Sequence, residues 1–321
     1  MKKFLLMIIV VSFGPNVNGS YVPQPGAGND DQTEFEDDAI DNHGGYKVLL
    51  EKESLYHYIR VTESGGVRYM QFRRSGGEYE ESAINLAHPL SFEMGYYSLM
   101  MTAFAHHPSP KSVLFIGLGG GTLSMAIAHY YPDAQIDNVE LDPDVAAAAK
   151  EFFGLREGPR MKVYIRDGRV QVRRFVREEK KYDIIFLDAF RGGYIPYHLT
   201  TKEFIESIRT LLSPGGIVVN NLRPGFESYH YHRRTLASVF SQQWSYGGGG
   251  NVIVISAMGQ TPPAKDSLLA TAERIQKEKQ LTVDLPAMIR EGGMRDDYER
   301  DGPILTDDYA PTDVLRSIPR D

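Results

Sequence analysis

"VLFIGLGGGTLSMAIAHYYPDAQIDNVELDPDV", residues 113–145, contains a short apolar run, a glycine turn, a segment with helical spacing and a second apolar run. Apolar runs bounded by glycines are typical of buried strands, and the apolar residues between Leu123 and Ala128 favour a helix that packs back on a sheet. The stretch therefore predicts a strand–helix–strand unit whose two strands are parallel.

Four glycines stand in the turn: Gly117, Gly119, Gly120 and Gly121. Glycines let the backbone approach a ligand closely, and the helix that follows offers unpaired N–H groups. NAD fits poorly because Thr122 occupies the third glycine position of the spacing G-x-G-x-x-G. Glu140, at the end of the second strand, can accept hydrogen bonds from both hydroxyls of a ribose. The combination resembles the S-adenosylmethionine (SAM) site of class I methyltransferase-like folds, and the alternative is a turn that binds no ligand.

The composition describes a folded protein and excludes several kinds of site. The 321 residues are 42% hydrophobic and 24% charged, which suits one large domain or one domain with a small appendage. The formal charge of −7 argues against nonspecific nucleic-acid binding, since neutralising phosphates requires a basic surface. Without cysteines the chain has no disulfide, no thiolate metal site and no cysteine nucleophile.

The amino terminus, "MKKFLLMIIVVSF", joins two lysines to an apolar run that is too short to span a bilayer. This pattern predicts a signal peptide over residues 1–19, cleaved after Gly19, and export to the periplasm or the medium. No stable membrane span is expected after processing. The alternative is an apolar tail on a cytoplasmic protein.

Changes in composition divide the rest of the chain into three parts. Residues 20–45 are acidic and poor in apolar residues, which predicts a disordered linker. Residues 46–91 contain the alternating runs "YKVLLEK", "YHYIRVT" and "VRYMQF", which predict a small antiparallel β domain. Residues 92–321 alternate strands such as "MKVYI", "YDIIFLD", "GIVVNNL" and "NVIVIS" with helical segments, which predicts an open parallel α/β sheet.

Four predicted strand ends carry the candidate chemistry: Gly117, Glu140, Asp167 and Asp188. The carboxyl ends of parallel strands form one edge, where such sheets bind ligands. Asp167 can accept a hydrogen bond from an adenine amino group, and Gly168 permits close approach to the ring. Asp188 closes "YDIIFLD" and can orient an amine beside a sulfonium cation and accept its proton. For both aspartates the alternative is a cap of a helix or turn.

Residues 46–321 resemble the spermidine synthase family, especially its divergent spermidine synthase-like branch. The resemblance rests on the small N-terminal sheet and on "IGLGGGTL", "VELDPDV", "RDGR", "YDIIFLDAFRGGYIPYHLTTKEF" and "LTDDYAP". It implies a Rossmann-like class I SAM-dependent transferase fold, with a mostly parallel seven-stranded sheet, helices on both faces and a small antiparallel β domain before it. It also implies that Glu140 holds the ribose, that Asp167 lies by the adenine and that Asp188 assists the attacking amine. The expected cofactor-binding residues are Gly117, Gly119, Gly121, Glu140, Asp167 and Gly168.

The chain departs from the family at positions that contact amines. Members usually have an aspartate in the glycine turn and a second one shortly after the catalytic aspartate, where this chain has Gly120 and Arg191. They also usually have a glutamine in place of His57 and a Tyr-His-Glu run in place of "YYS", residues 96–98. At about 4 Å an arginine repels a bound cation by roughly 4 kcal/mol at an effective dielectric of about 20, which disfavours a putrescine dication. The carboxylate of SAM could instead be accepted by Arg191 and the helix N-terminus; the alternative is an arginine that faces solvent.

The sequence favours aminopropyl transfer from decarboxylated SAM, or SAM, to an amine acceptor in polyamine biosynthesis, without a metal. Its expected substrate-binding residues are His57, Arg191 and Tyr194; Tyr194 follows Asp188 on a loop that could close over a substrate, or is a surface residue. Two alternatives stay open, a SAM-dependent methyltransferase on the same scaffold and a catalytically silent nucleoside-binding or secreted interaction protein. The expected partner is a small-molecule amine or another small acceptor, not nucleic acid, and a homodimer is left open.

Overall fold

The computed structural model describes residues 45–74, 77–191, 194–226, 228–248, 250–259, 261–294, 297–309 and 311. The predicted signal peptide and, except for Gly45, the predicted acidic linker lie outside these residues. No helix within the described ranges has the length and apolar character that crossing a membrane requires.

The first sheet is antiparallel and has four strands in sequence order: β1 (Lys47–Glu53), β2 (Tyr58–Ser64), β3 (Val67–Arg74) and β4 (Gly77–Asn85). The sequence runs predict only the first three. The fourth, "GEYEESAIN", carries three glutamates that obscure its alternation. Alternate residues of the sheet form an apolar face that packs on helix α4 (Pro143–Phe152), as the buried contacts of Ile59, Met70, Val145 and Ala148 show.

The second sheet has seven strands: β5 (Ser112–Ile116), β6 (Gln135–Glu140), β7 (Met161–Ile165), β8 (Tyr182–Leu187), β9 (Leu212–Leu222), β10 (Gln242–Gly248) and β11 (Asn251–Ala257). Their spatial order is β10-β11-β9-β8-β5-β6-β7. The five strands from β9 to β7 in that order are parallel, whereas β11 runs antiparallel to β9 and β10 antiparallel to β11. The prediction of a mostly parallel seven-stranded sheet is confirmed.

The remaining helices are α1 (Gly95–Met100), α2 (Ala103–His106), α3 (Thr122–Tyr130), α5 (Gly168–Arg177), α6 (Lys202–Thr210), α7 (Ser228–Val239), α8 (Lys265–Lys279) and α9 (Leu285–Glu291). They cover both faces of the sheet because successive strand residues point to opposite sides. Val113 and Phe115 contribute to the core beneath α1, α2, α3, α8 and α9. Leu114 and Ile116 contribute to the core beneath α5, α6 and α7.

Strand order reverses at β5, because its connection through α3 leads to β6 on one side while β8 lies on the other. Open α/β sheets bind ligands outside the carboxyl end of the strands at such a point. The glycine turn that follows β5 occupies this position.

Candidate active site

The four predicted strand ends meet in one cavity that opens to solvent. Along the sheet edge they follow the strand order β8-β5-β6-β7, which gives the sequence Asp188, Gly117, Glu140 and Asp167. The four-stranded sheet closes the cavity from the other side with His57, Phe72 and Glu81. The cavity is therefore elongated, with a carboxylate near each end and a third between them.

The glycines of the turn differ in what surrounds them. Gly117 has φ +98°, and a Cβ there would lie 2.4 Å from the carbonyl oxygen of Asp188, so only glycine allows this close approach. Gly117, Gly119 and Gly168 line the cavity, whereas Gly121 is not among its lining residues. A Cβ on Gly121 would instead meet Leu155 at 3.0 Å. Gly121 therefore lies outside the cavity lining, and its contact with the cofactor stays a prediction.

Gly120, where the resemblance leads one to expect an aspartate, lies against buried side chains. A Cβ at this position would lie 2.6 Å from Cδ1 of Phe153 and 2.7 Å from Oγ of Ser82. Both neighbours are buried, and Ser82 is hydrogen-bonded to the hydroxyl of Tyr97 at 3.0 Å. The missing carboxylate is thus replaced by packing and not by an open space.

Glu140 is the buried carboxylate at the middle of the cavity. Its Oε2 accepts a hydrogen bond from the N–H of Leu118 at 3.1 Å, and its Oε1 accepts one from the N–H of Asp142 at 2.9 Å. Burial raises the pKa of Glu140 to about 6, although these two hydrogen bonds act in the opposite direction. The carboxylate is fixed in one orientation and keeps further lone pairs for the hydroxyls of a ligand.

His57 reaches the cavity from the turn between β1 and β2. Its Nδ1 lies 3.1 Å from Oδ2 of Asp142, and the same oxygen accepts a hydrogen bond from the hydroxyl of Ser54. The other oxygen of Asp142, Oδ1, caps α4 by accepting from the N–H of Asp144. The imidazole stacks on Phe72 with ring centroids 4.2 Å apart. An aspartate of the α/β sheet therefore fixes the histidine that the four-stranded sheet brings to the cavity.

Asp167 caps α5 and also lines the cavity, so the two interpretations of this residue are compatible. Its Oδ1 accepts a hydrogen bond from the N–H of Val170 at 3.0 Å, and its Oδ2 lies 2.8 Å from Nε2 of His198. The hydrogen bond from His198 is the main cause that lowers the pKa of Asp167. This end of the cavity carries an ionised carboxylate beside an imidazole.

Asp188 stands at the opposite end, directly after β8. Its N–H donates to the carbonyl of Ile116 at 2.9 Å, and its Oδ1 accepts from Nδ2 of Asn221 at 2.9 Å. Burial raises the pKa of Asp188 to about 7, while hydrogen bonds from Asn221 and Tyr96 act to lower it. Near neutral pH this carboxyl can therefore both accept and release a proton.

The two candidates on the loop after Asp188 differ in position. Arg191 lines the cavity, and its backbone N–H donates to the carbonyl of Tyr194 at 2.8 Å. Tyr194 is not among the lining residues in the described part of the loop. The contact of Tyr194 with a substrate stays a prediction, and its carbonyl helps to hold the backbone of Arg191 in the turn.

A second cavity adjoins the first and shares Glu81, Tyr96 and Phe190 with it. Strand β4 adds two more glutamates to its lining, Glu78 and Glu80. Arg60 and Arg73 pair with Glu78 at 3.0 Å each. The wall between the two cavities therefore has acidic residues on the side away from the glycine turn.

Several lining residues were missed by the sequence analysis, among them Phe72, Glu81 and His198. Asp142 and Asn221, which hold lining side chains in place, were missed as well. Asp142 had a usable signal, because an aspartate before Pro143 at the start of a helix is a typical cap. Among the described residues no group of three histidine, cysteine or acidic side chains is arranged to hold a metal ion.

The family model for the spermine/spermidine synthase domain matches residues 93–244. A polyamine aminopropyltransferase of Vibrio vulnificus is 29% identical over 278 residues, which cover 85% of this chain and 93% of that protein. A polyamine aminopropyltransferase of Chromobacterium violaceum is 33% identical over 183 residues, which cover 57% of this chain and 68% of that protein.

Solved structures of two kinds share the fold. A probable spermidine synthase from Corynebacterium glutamicum superimposes with a TM-score of 0.58 at 21% identity, over 73% of this chain and 94% of that one. Human methyltransferase-like protein 13, in complex with SAH, superimposes with a TM-score of 0.53 at 23% identity, over 69% of this chain and 100% of that one. At these identities the likeness concerns the fold, which is the Rossmann-like transferase fold with a small antiparallel sheet before it.

Proposed function

Because this chain belongs to the spermine/spermidine synthase family, whose curated relatives are polyamine aminopropyltransferases, we propose that it transfers an aminopropyl group from a SAM-type nucleoside to an amine. The co-substrate is decarboxylated SAM, and the acceptor is a small amine. The observation that carries the proposal is the order of Asp167, Glu140, Gly117 and Asp188 along one cavity. This order suits an adenine, a ribose, a close backbone approach and a reacting amine in turn.

The residues present fit an adenosine without phosphates. Glu140 presents a fixed carboxylate to ribose hydroxyls, and Asp167 presents one to an adenine amino group. Gly117 and Gly168 bring backbone to the cavity where a Cβ would meet atoms of the fold at 2.4 and 2.8 Å. A pyrophosphate would lie against these carboxylates and be repelled, which supports a nucleoside sulfonium over a dinucleotide.

Asp188 acts on the acceptor. The amine nitrogen forms a bond to the carbon beside the sulfonium, the carbon–sulfur bond breaks and the thioether nucleoside leaves with the electron pair. The proton of the amine passes to Asp188, whose pKa of about 7 suits this transfer at neutral pH. The rate is gained mainly by holding nitrogen, carbon and sulfur in line.

The acceptor reaches Asp188 through the second cavity. Glu80 and Glu81 favour a protonated amine by charge, whereas Glu78 is already paired with Arg60 and Arg73, and Arg223 also lines this cavity. Tyr96 and Phe190 line both cavities, so they lie where the acceptor would meet the nucleoside. Tyr96 stays protonated, since burial and the nearby Asp188 raise its pKa well above the usual range, and it can donate to either the carboxylate or a bound ligand.

Methyl transfer from SAM is the second candidate, and Gly120 and Arg191 favour it. The space of a carboxylate at position 120 is filled by Phe153 and Ser82, and Arg191 brings a positive charge to the end of the cavity that holds Asp188. Both features suit a co-substrate that carries a carboxylate beside its ammonium group.

One assay separates the candidates. Purified residues 20–321 are incubated with SAM or decarboxylated SAM and a panel of amines, and the nucleoside product is identified. Methylthioadenosine marks aminopropyl transfer, and S-adenosylhomocysteine marks methyl transfer. A product that Asp188→Asn also forms at the wild-type rate would remove Asp188 from the mechanism, whereas binding without either product would identify a nucleoside-binding protein on the scaffold of an enzyme.

A further inference from the structure

Two asparagines stand in series beside the Asp188 carboxylate, and both line the second cavity. Nδ2 of Asn221 donates to Oδ1 of Asp188 at 2.9 Å, and Nδ2 of Asn251 donates to Oδ1 of Asn221 at 2.8 Å. Asn221 lies near the end of β9 and is only 2% exposed, and Asn251 begins the antiparallel neighbour β11. Both hydrogen bonds run in the same direction, towards the carboxylate.

We propose that Asn221 and Asn251 are a positioning pair that fixes the orientation of the Asp188 carboxylate and stabilises its charged form. The consequence for catalysis rests on the proposed function, because it assumes that Asp188 accepts the proton of the amine. The placement of the pair does not depend on that assumption.

Asn251 decides which end of the Asn221 amide faces Asp188. An amide can present either its oxygen or its nitrogen to a neighbour, and an oxygen would repel a carboxylate. Because Asn251 donates to Oδ1 of Asn221, the amide keeps its nitrogen towards Asp188. The register supports this arrangement, since Ile253 pairs with Asn221 and places the first residue of β11 beside the end of β9.

Other groups that face Asp188 come from three elements. Helix α1 supplies Tyr96 and Tyr97, strand β4 supplies Glu81, and the loop that follows Asp188 supplies Arg191. Farther along the cavity lie His57, Glu140, Asp167 and His198. Tyr96, whose hydroxyl donates to the carbonyl of Glu81 at 3.4 Å, also acts to lower the pKa of Asp188, and this influence remains when Asn221 is removed. The expected rise in the pKa of Asp188 on removal of Asn221 is therefore moderate.

The test measures Asp188 directly and does not need activity. The carboxyl carbon of Asp188 is followed by 13C NMR during a pH titration, with its resonance assigned from its loss in Asp188→Asn. In Asn221→Leu the midpoint should rise by about one pH unit, the scale of one hydrogen bond to a charged group. In Asn251→Ala it should rise by less, because the nitrogen of Asn221 is still present but can turn away.

Asn220→Leu is the matched control. This neighbouring asparagine on β9 is also buried, but it lines a different, apolar cavity beside Leu187 and Phe204. Its replacement should leave the Asp188 midpoint unchanged. Should Asn221→Leu fail to fold, Asn221→Ala removes the same hydrogen bond with a smaller side chain that has no donor.

Kinetics give the second measurement. The pH at which the rate falls on the acid side of the pH–rate profile should rise with the NMR midpoint. The rate of Asn221→Leu should therefore be about five-fold below the wild-type rate at pH 7 and close to it near pH 9. If the Asp188 midpoint does not move in folded Asn221→Leu, the proposal of a positioning pair is refuted. If it moves in Asn221→Leu but not in Asn251→Ala, Asn221 positions Asp188 without help from Asn251. A shifted midpoint in a chain that forms no product keeps the pair and refutes the proposed function instead.

Discussion

Asp188→Asn should make the protein more stable at neutral pH while it lowers turnover. Burial raises the pKa of Asp188 to about 7, so the folded state favours the protonated carboxyl and is destabilised by its ionisation. Each pH unit between the ordinary and the raised value is worth about 1.4 kcal/mol, which totals about 4 kcal/mol at pH 8. Because the carboxylate faces an open, hydrated cavity, we expect a gain of about 2–3 kcal/mol in the free energy of unfolding.

The pH dependence of this gain follows from the sign of the pKa change. In the wild type, the stability associated with protonated Asp188 is complete below pH 4 and is lost as the pH rises through 7. Asparagine does not titrate, so the advantage of the variant should be small near pH 4, less than half of its full value at pH 5 and complete at pH 8. Turnover should fall about 10²–10⁴-fold because the proton acceptor is lost.

Asp183→Asn is the matched control on the same strand. Although burial raises it, hydrogen bonds from Ser213 and from the N–H groups of Lys111 and Ser112 hold the pKa of Asp183 below its ordinary value. Its replacement should therefore destabilise the protein at pH 8, which is the opposite sign. Chemical denaturation, followed by the fluorescence of the single Trp244, measures both variants. A gain in Asp188→Asn that is absent at pH 8, or equal at pH 5 and pH 8, would refute the reasoning.

Three further predictions concern the ligand and the chain terminus. Glu140→Gln should weaken binding of methylthioadenosine by about 1–3 kcal/mol in calorimetry, because the amide nitrogen must face one of two backbone N–H groups; equal affinity would contradict the ribose role. Arg191→Asp should increase the rate with decarboxylated SAM relative to SAM, because it replaces a repulsive charge at the amine end; an unchanged ratio would place Arg191 outside the amine site. Residues 1–25 fused to a reporter that works only outside the cytoplasm should produce signal and a mature amino terminus at Ser20, whereas an intact Met1 on a cytoplasmic product would disprove export.

Local sequence patterns were sufficient for most of the fold. Buried parallel strands such as Val113–Ile116 and Ile184–Leu187 are continuous apolar runs, and glycines or aspartates mark where they end. Since the carboxyl ends of parallel strands share an edge, the four site positions could be grouped before any contact was known. Strand β4 was not predicted because its glutamates line the acidic second cavity and interrupt the alternation of apolar residues.

The partners of the site residues could not be predicted in this way. His57 and Asp142 are 85 residues apart, and Asn221 is 33 residues from Asp188. Such pairs depend on how two sheets pack and how strands align, which no short pattern contains. The pKa values follow from the same packing. Burial acts to raise the pKa of both Asp167 and Asp188, but at Asp167 the hydrogen bond from His198 outweighs burial and the pKa is lowered, whereas at Asp188 burial prevails.

Gly120 and Arg191 both depart from the family, but the fold constrains them differently. Arg191 lies on an exposed part of the loop at the cavity, so its charge can be reversed without repacking the core. An aspartate at position 120 would clash with Phe153 and Ser82, and Ser82 is tied to Tyr97 in the wall beside Asp188. Restoring the carboxylate there requires at least a smaller residue at position 153. A changed co-substrate preference in Arg191→Asp is therefore an effect of the side chain at the cavity and not of a repacked core, whereas the packing at Gly120 excludes a carboxylate from the turn whichever co-substrate binds.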